Sequence, residues 1–176
     1  MDSTENAQGA ALELIDLNQW LRRQLEIWDD WAAERSEDWL ELETGNSQWP
    51  AAADLLMHAF TPLHRYADRV LDTAAADPPE SGDGRSWSYI HDWGQRCIDR
   101  HRQAIEQLDP GDPGRLVELD TRSMGRVKAR ATRCLAHAST HAAWHLGGLI
   151  HLLRRAGIDP PQRSDFLYWG VDQEAQ

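Results

Sequence analysis

The chain has only two cysteines, Cys97 and Cys134, in 176 residues. Two isolated thiols make neither a disulfide framework nor a cysteine-rich metal site, so both read as reduced, buried side chains. Cationic residues are also scarce. Lys and Arg together number 18 against 29 Asp and Glu, which leaves a net charge of −11 and a pI near 5.1. A surface that neutralises phosphates needs a clustered excess of positive charge, so nucleic acid is not an expected partner. No window approaches the ~20 apolar residues of a membrane span. The opening residues Met1-Asp-Ser-Thr-Glu-Asn-Ala-Gln8 are polar and acidic, without the apolar core of a targeting segment. A soluble, cytoplasmic protein without membrane contact is expected, with one domain over residues 1–176 and disorder over 1–8.

What is present is helical periodicity. From about Gly9 to Ala33, Leu14, Leu17, Leu21, Trp28 and Trp31 recur at spacings of three, four and seven, which predicts a first helix. Ser36 suits the start of a short extra turn. Gly45-Asn-Ser-Gln-Trp-Pro50 reads as a turn with Pro50 at the first position of a second helix, which runs to about Ala74. Its stripe is Leu56, Phe60, Leu63, Ala67, Val70 and Ala74, and Pro62 inside it predicts a kink. Asp77-Pro-Pro-Glu-Ser-Gly-Asp-Gly84 is a loop by composition. A third helix is expected from Trp87 to Leu108, ended by Asp109-Pro-Gly-Asp-Pro-Gly114. Leu116–Thr121 reads as a short extended piece. The fourth helix is expected from near Gly125 to Ala156, with Gly157 as its C-terminal cap, Arg154 and Arg155 suiting its dipole, and Pro160-Pro161 preventing continuation. Residues 157–176 form a non-helical tail whose Phe166, Leu167, Tyr168 and Trp169 are too apolar to be free and should pack back on the bundle. The fold class is all-α, a four-helix bundle. Most of the nine tryptophans, four of them among the first forty residues, read as core packing.

The segment His137-Ala-Ser-Thr-His141-Ala-Ala-Trp-His145-Leu-Gly147 places three histidines four residues apart in the fourth helix. Residues four apart project from nearly one face, so His141 and His145 can aim at one point. At ~100° per residue both fall within the stripe Val127, Ala131, Cys134, Ala138, Leu149, Leu152 and Ala156, while His137 lies on its edge as a rim residue. Buried imidazoles need a hydrogen-bond partner or a metal, and a stacked pair favours the metal. A zincin needs His-Glu-x-x-His, but Ala142 follows His141. A ferritin-like site needs inward Glu, and the fourth helix has none. A mononuclear site then needs a third ligand from another helix. His58 and His64 are the candidates on the second helix; the helical wheel sets His64 nearer the stripe and His58 well off it, and the Pro62 kink weakens that distinction.

At these residues the chain resembles the DinB-like, or YfiT-like, superfamily of four-helix-bundle metalloproteins. The run from Ser139 through His141 and His145 to Gly157 and on to Trp169 is similar to the last helix and tail of that family, and Asp54-Leu-Leu-Met-His58 is similar to its Leu-rich second-helix segment ending in His. The resemblance implies His58, His141 and His145 as metal ligands, and selects His58 over His64. Many members carry His-His-Arg-Gly-Gln around the last ligand, where this chain has Trp144-His145-Leu146-Gly147-Gly148.

The resemblance further implies a divalent metal, most often zinc or nickel, with open positions facing a pocket, and a low-molecular-weight thiol as co-reactant in a transferase or isomerase. A small-molecule substrate or thiol is the partner implied, and a homodimer the assembly. A divalent ion stabilises thiolate over thiol, which makes a nucleophile near neutral pH. Arg65, Arg69, Arg130 and Arg133 are candidates for the carboxylates of such a thiol. Two alternatives stand beside this reading. One is a hydrolase using metal-bound water, with Asp54 as a candidate base or plain helix-start residue. The other is a non-enzymatic, stress-related metal-binding bundle. His91, His101 and His151 fall on more polar faces and receive no role.

Overall fold

The computed structural model describes residues 3–73, 85–121 and 125–162, with side chains from Leu14 onward except that of Thr121. Four helices pack together: α1 (Ser3–Ala33), α2 (Ala52–Val70), α3 (Trp87–Glu106) and α4 (Ala131–Arg155). A single 3-10 turn covers Glu37–Glu41, and two strands, β1 (Leu116–Thr121) and β2 (Gly125–Arg130), form an antiparallel hairpin ahead of α4. Helix α2 is flanked by α3 and α4, and α1 packs against the same two. The loop expected over 77–84 and the packing of Phe166–Trp169 fall outside the described residues. Among the described residues no helix is long and apolar enough to cross a membrane.

The element boundaries differ from the expectation in five places, the smallest being α3, which ends at Glu106 rather than Leu108. Helix α1 begins at Ser3 rather than Gly9, carried outward by residues such as Glu5 and Ala7 with good helix propensity. Pro50 does not open α2; Ala51 is its N-cap, and Asp54 Oδ2 accepts the Ala51 backbone N–H at 3.1 Å. Helix α2 stops at Val70 instead of Ala74, because Asp72 takes a left-handed conformation (φ 54°) and the Thr73 N–H returns to the Asp68 carbonyl at 3.0 Å. The fourth helix starts at Ala131, six residues later than expected, since Gly125–Arg130 is strand. The segment Arg126-Val-Lys-Ala-Arg130 alternates charged and apolar side chains with a period of two, which matches Leu116–Thr121 across the ladder, where Val117 and Leu119 are buried. Val127 therefore belongs to the hairpin and not to the stripe of α4. That helix ends as expected, with Gly157 at φ 74° and the Ile158 N–H on the Leu153 carbonyl at 3.0 Å.

The core is built on tryptophan. Trp28, Trp31, Trp39 and Trp87 form one aromatic cluster, with Trp31 and Trp39 edge to face at 5.0 Å between centroids. Trp31 donates its indole N–H to the Asp159 carbonyl at 2.8 Å, which ties the segment after α4 to the end of α1. Gly94 lets α3 approach closely, since a Cβ there would meet Leu25 at 3.2 Å and Phe60 at 3.4 Å. Both cysteines are free and buried, as expected.

His101, which the sequence places on a polar face, is instead fully buried. Its Nε2 bonds the Leu135 carbonyl at 3.1 Å and must be the protonated nitrogen, so Nδ1 accepts from the Asn18 amide at 3.1 Å; that amide also donates to the Ile98 carbonyl at 2.9 Å. One neutral imidazole thus joins α1, α3 and α4. Burial lowers its pKa from 6.5 to about 4. A basic group whose folded pKa is depressed contributes fully above its unfolded pKa, and the contribution is lost as pH falls from about 6.5 towards 4. His101→Gln should therefore show a flatter acid limb in urea unfolding, by on the order of 3 kcal/mol across that window. His101→Ala should lose about 2–4 kcal/mol at pH 7.5, because it leaves a cavity and strands Asn18 and the Leu135 carbonyl.

Candidate metal centre

Helix α2 is buried on two sides, and the two sides hold different polar groups. His58, Pro62 and Tyr66 follow one another at intervals of four on the side that meets α4. There the His58 ring lies 4.8 Å from that of His141 and 4.9 Å from that of His145, and Tyr66 lies 5.7 Å from His137. Pro62 has no N–H to give the His58 carbonyl, and the Thr61 hydroxyl bonds back to the Met57 carbonyl at 2.8 Å, yet α2 runs unbroken through both. His64 faces α3 instead. Its Nδ1 lies 3.1 Å from Asp68 Oδ2, its ring stacks on Trp93 at 5.4 Å, and Arg100 Nε donates to Asp68 Oδ1 at 2.7 Å. The structure thus brings His58, and not His64, to the pair on α4.

His58, His141 and His145 each present one ring nitrogen within 4.8 Å of the other two, a cluster able to hold a divalent ion. Nε2 of His141 and Nε2 of His145 are 3.1 Å apart. Either one ring donates its N–H to the other, or both direct lone pairs at a common cation. Two nitrogens bound to one tetrahedral zinc at ~2.0–2.1 Å stand roughly 3.3 Å apart, so the α4 pair already has nearly the required spacing. The donor set is imidazole alone, which suits zinc, nickel, copper or iron over the oxygen-seeking magnesium and calcium.

The electrostatics favour lone pairs over protons. Burial, then the neighbouring His145 and His137, push the pKa of His141 from 6.5 down to about 4, with the Ala59 carbonyl pulling the other way. Burial also lowers that of His145. Both rings are neutral at pH 7, as metal ligation requires. His137 is exposed, with its ring 6.0 Å from His141, which is the rim position expected of it.

Other candidates lie elsewhere. Asp54 is committed to the start of α2, through the Ala51 N–H and an ion pair to Arg85 at 3.4 Å. Arg69, Arg130 and Arg133 are exposed and Arg65 is half-buried. His91 is half-buried beside Trp87, and His151 is exposed. Two tryptophans at the site escaped sequence reasoning, which assigned the type to the core. Trp49 stacks on His58 with centroids 3.7 Å apart and planes 21° apart, and meets His145 at 6.0 Å. Trp144 lies 4.8 Å from His145 and is 74% exposed. The available signals were a tryptophan inside a turn and a tryptophan directly preceding a ligand candidate.

The family model described as the DinB family matches residues 3–173 of the chain. No curated protein matches it.

Imidazole nitrogen shifts recorded by NMR on metal-free protein should show His141 still neutral at pH 5.5, with its midpoint near 4. A midpoint near 6.5 would mean that the pair is solvated rather than desolvated.

Proposed function

Since the chain belongs to the DinB family, we propose that His58, His141 and His145 bind one divalent metal, zinc or nickel, and that the site serves a thiol-dependent transferase or isomerase. The observation that carries this reading is a cluster of histidine alone, half-open to solvent, with no acidic side chain in the group. Three neutral imidazoles leave the full charge of a divalent ion uncompensated, which favours an anionic further ligand. A metal bound there would lower the pKa of a coordinated thiol and so supply a thiolate nucleophile near neutral pH. The chain's residues contribute position and environment. His141 and His145 are kept unprotonated by burial, and the Trp49 indole fixes the plane of the His58 ring.

The hydrolytic alternative has less support, because the carboxylate that sequence offers as a base, Asp54, is held at the helix start. A purely structural metal would be closed off by a fourth protein ligand, and the described residues offer three. The same reading includes a homodimer, for which the exposed Leu116 of the hairpin offers an apolar contact, and a reducing cytoplasm in which Cys97 and Cys134 stay as thiols.

Metal analysis of protein purified without a tag should find about one metal per chain, absent from the variant with His141→Ala and His145→Ala. Zinc should raise the melting temperature of the wild type and not of the variant. On cobalt-loaded protein, millimolar mercaptoethanol should add a thiolate-to-metal charge-transfer band in the near ultraviolet. Metal uptake without that band would sink the thiol reading and leave the metal site standing.

A further inference from the structure

Trp144 is the most exposed large apolar side chain among the described residues, at 74%, and it touches the ring of His145. Desolvating an indole is among the larger single gains a protein can make, so one left in water beside a ligand site calls for an occupant. A second feature lies on the same surface. Gly147 and Gly148 are three and four residues beyond Trp144, inside α4, and Gly148 shares the face of His141, seven residues before it. Glycine is among the poorest helix formers, and a close packing contact is its usual justification. Here both are exposed and a Cβ at either would meet nothing within 4 Å. Among the described residues the helix therefore presents a bare floor beside an uncovered indole, at the edge of the three-histidine cluster.

We propose that Trp144, Gly147 and Gly148 form a shelf that receives the flat apolar part, aromatic or conjugated, of the molecule whose polar end reaches the metal. The proposal rests on the metal reading above and names the substrate class for it. An indole face recognises another π-system by offset stacking, and the glycines leave clearance for a ring that any side chain would occupy. Trp49 is the second indole within reach of His145, at 6.0 Å. A protein partner fits the feature less well. A stable interface takes about 800 Å² from each side, and the other exposed large apolar residue described, Leu116, belongs to the hairpin and not to α4. In this role Trp144 sets specificity, and no bond is made or broken by it.

The test compares two metal-seeking probes on zinc-loaded protein by calorimetry. Benzohydroxamate and acetohydroxamate share the chelating head and differ in the ring. The wild type should bind the aromatic probe about tenfold more tightly than the aliphatic one. Trp144→Ala should bring the two within about twofold and leave acetohydroxamate affinity and zinc content unchanged, while Trp144→Phe should keep the preference. Gly148→Leu should raise the melting temperature, through better helix propensity, and still abolish the preference by filling the shelf. Equal affinities in the wild type, or a preference that survives both Trp144→Ala and Gly148→Leu, would overturn the shelf alone. A change of oligomeric state in Trp144→Ala, seen by sedimentation, would assign the indole to a subunit contact and overturn it too. If neither probe binds the zinc-loaded protein, no exchangeable metal position exists, and the thiol-dependent reading falls together with the shelf while the bound zinc keeps the metal site standing.

Discussion

Helix α2 is buried against two neighbours at once, and two of the bundle's polar clusters depend on that arrangement. Most of its described residues are sequestered, including Thr61 and Asp68. On a helix in that position the apolar stripe widens and the wet face shrinks, so that of Ala52–Val70 only Arg69 is exposed. Each buried polar side chain it carries must find its partner inside. Asp68 finds Arg100 of α3, with His64 alongside and Thr73 closing the network. Thr61 accepts the Trp93 indole N–H at 3.2 Å. On the opposite side His58 meets the histidines of α4. The α3 side is thus closed by charge pairing within the chain, while the α4 side gathers neutral nitrogen donors with no anion among them.

That division explains why two histidines six residues apart have different fates. The wheel of α2, drawn for one stripe, ranks His64 above His58, and for a helix buried on one side it would be right. His64 does lie close to the Leu56, Phe60 and Leu63 face, and that nearness delivers it to Asp68 and Trp93 rather than to a metal. The resemblance of Asp54-Leu-Leu-Met-His58 to a family segment held the information that periodicity lacked, since it encodes the second buried face implicitly. The pair on α4 needed no such help. His141 and His145 stand four apart within a long helical run, and the separation of their Nε2 atoms, 3.1 Å, follows from that spacing.

The elements that sequence reasoning misplaced share a cause. Gly125–Arg130 was read as helix because Val127 extends the stripe of α4 by one turn, whereas the pairing partner that makes it a strand lies at Leu116–Thr121, across a loop. His101 falls on a more polar face of its helix by sequence; its burial depends on Asn18, 83 residues away in sequence. Trp49 lies in a turn with nothing local to mark its role, although its contact with His58 is the tightest ring stacking at the site. Each miss concerns a partner distant in the chain, and local propensity contains no record of such a partner.

The long-range field and the local site pull in different directions, and distance decides between them. A net charge of −11 attracts divalent cations and repels anionic thiols or substrates. At physiological ionic strength that field fades over about 8 Å, so it acts on approach and little within a partly buried cluster. Inside, the balance is set by His141 and His145, which hold lone pairs and no charge at neutral pH. A carboxylate in place of either would bind the ion more strongly and also cancel part of its charge, which weakens its hold on a thiolate. An all-imidazole cluster would give up some of that attraction and keep a bound cation's full pull for an anionic ligand that enters from solvent.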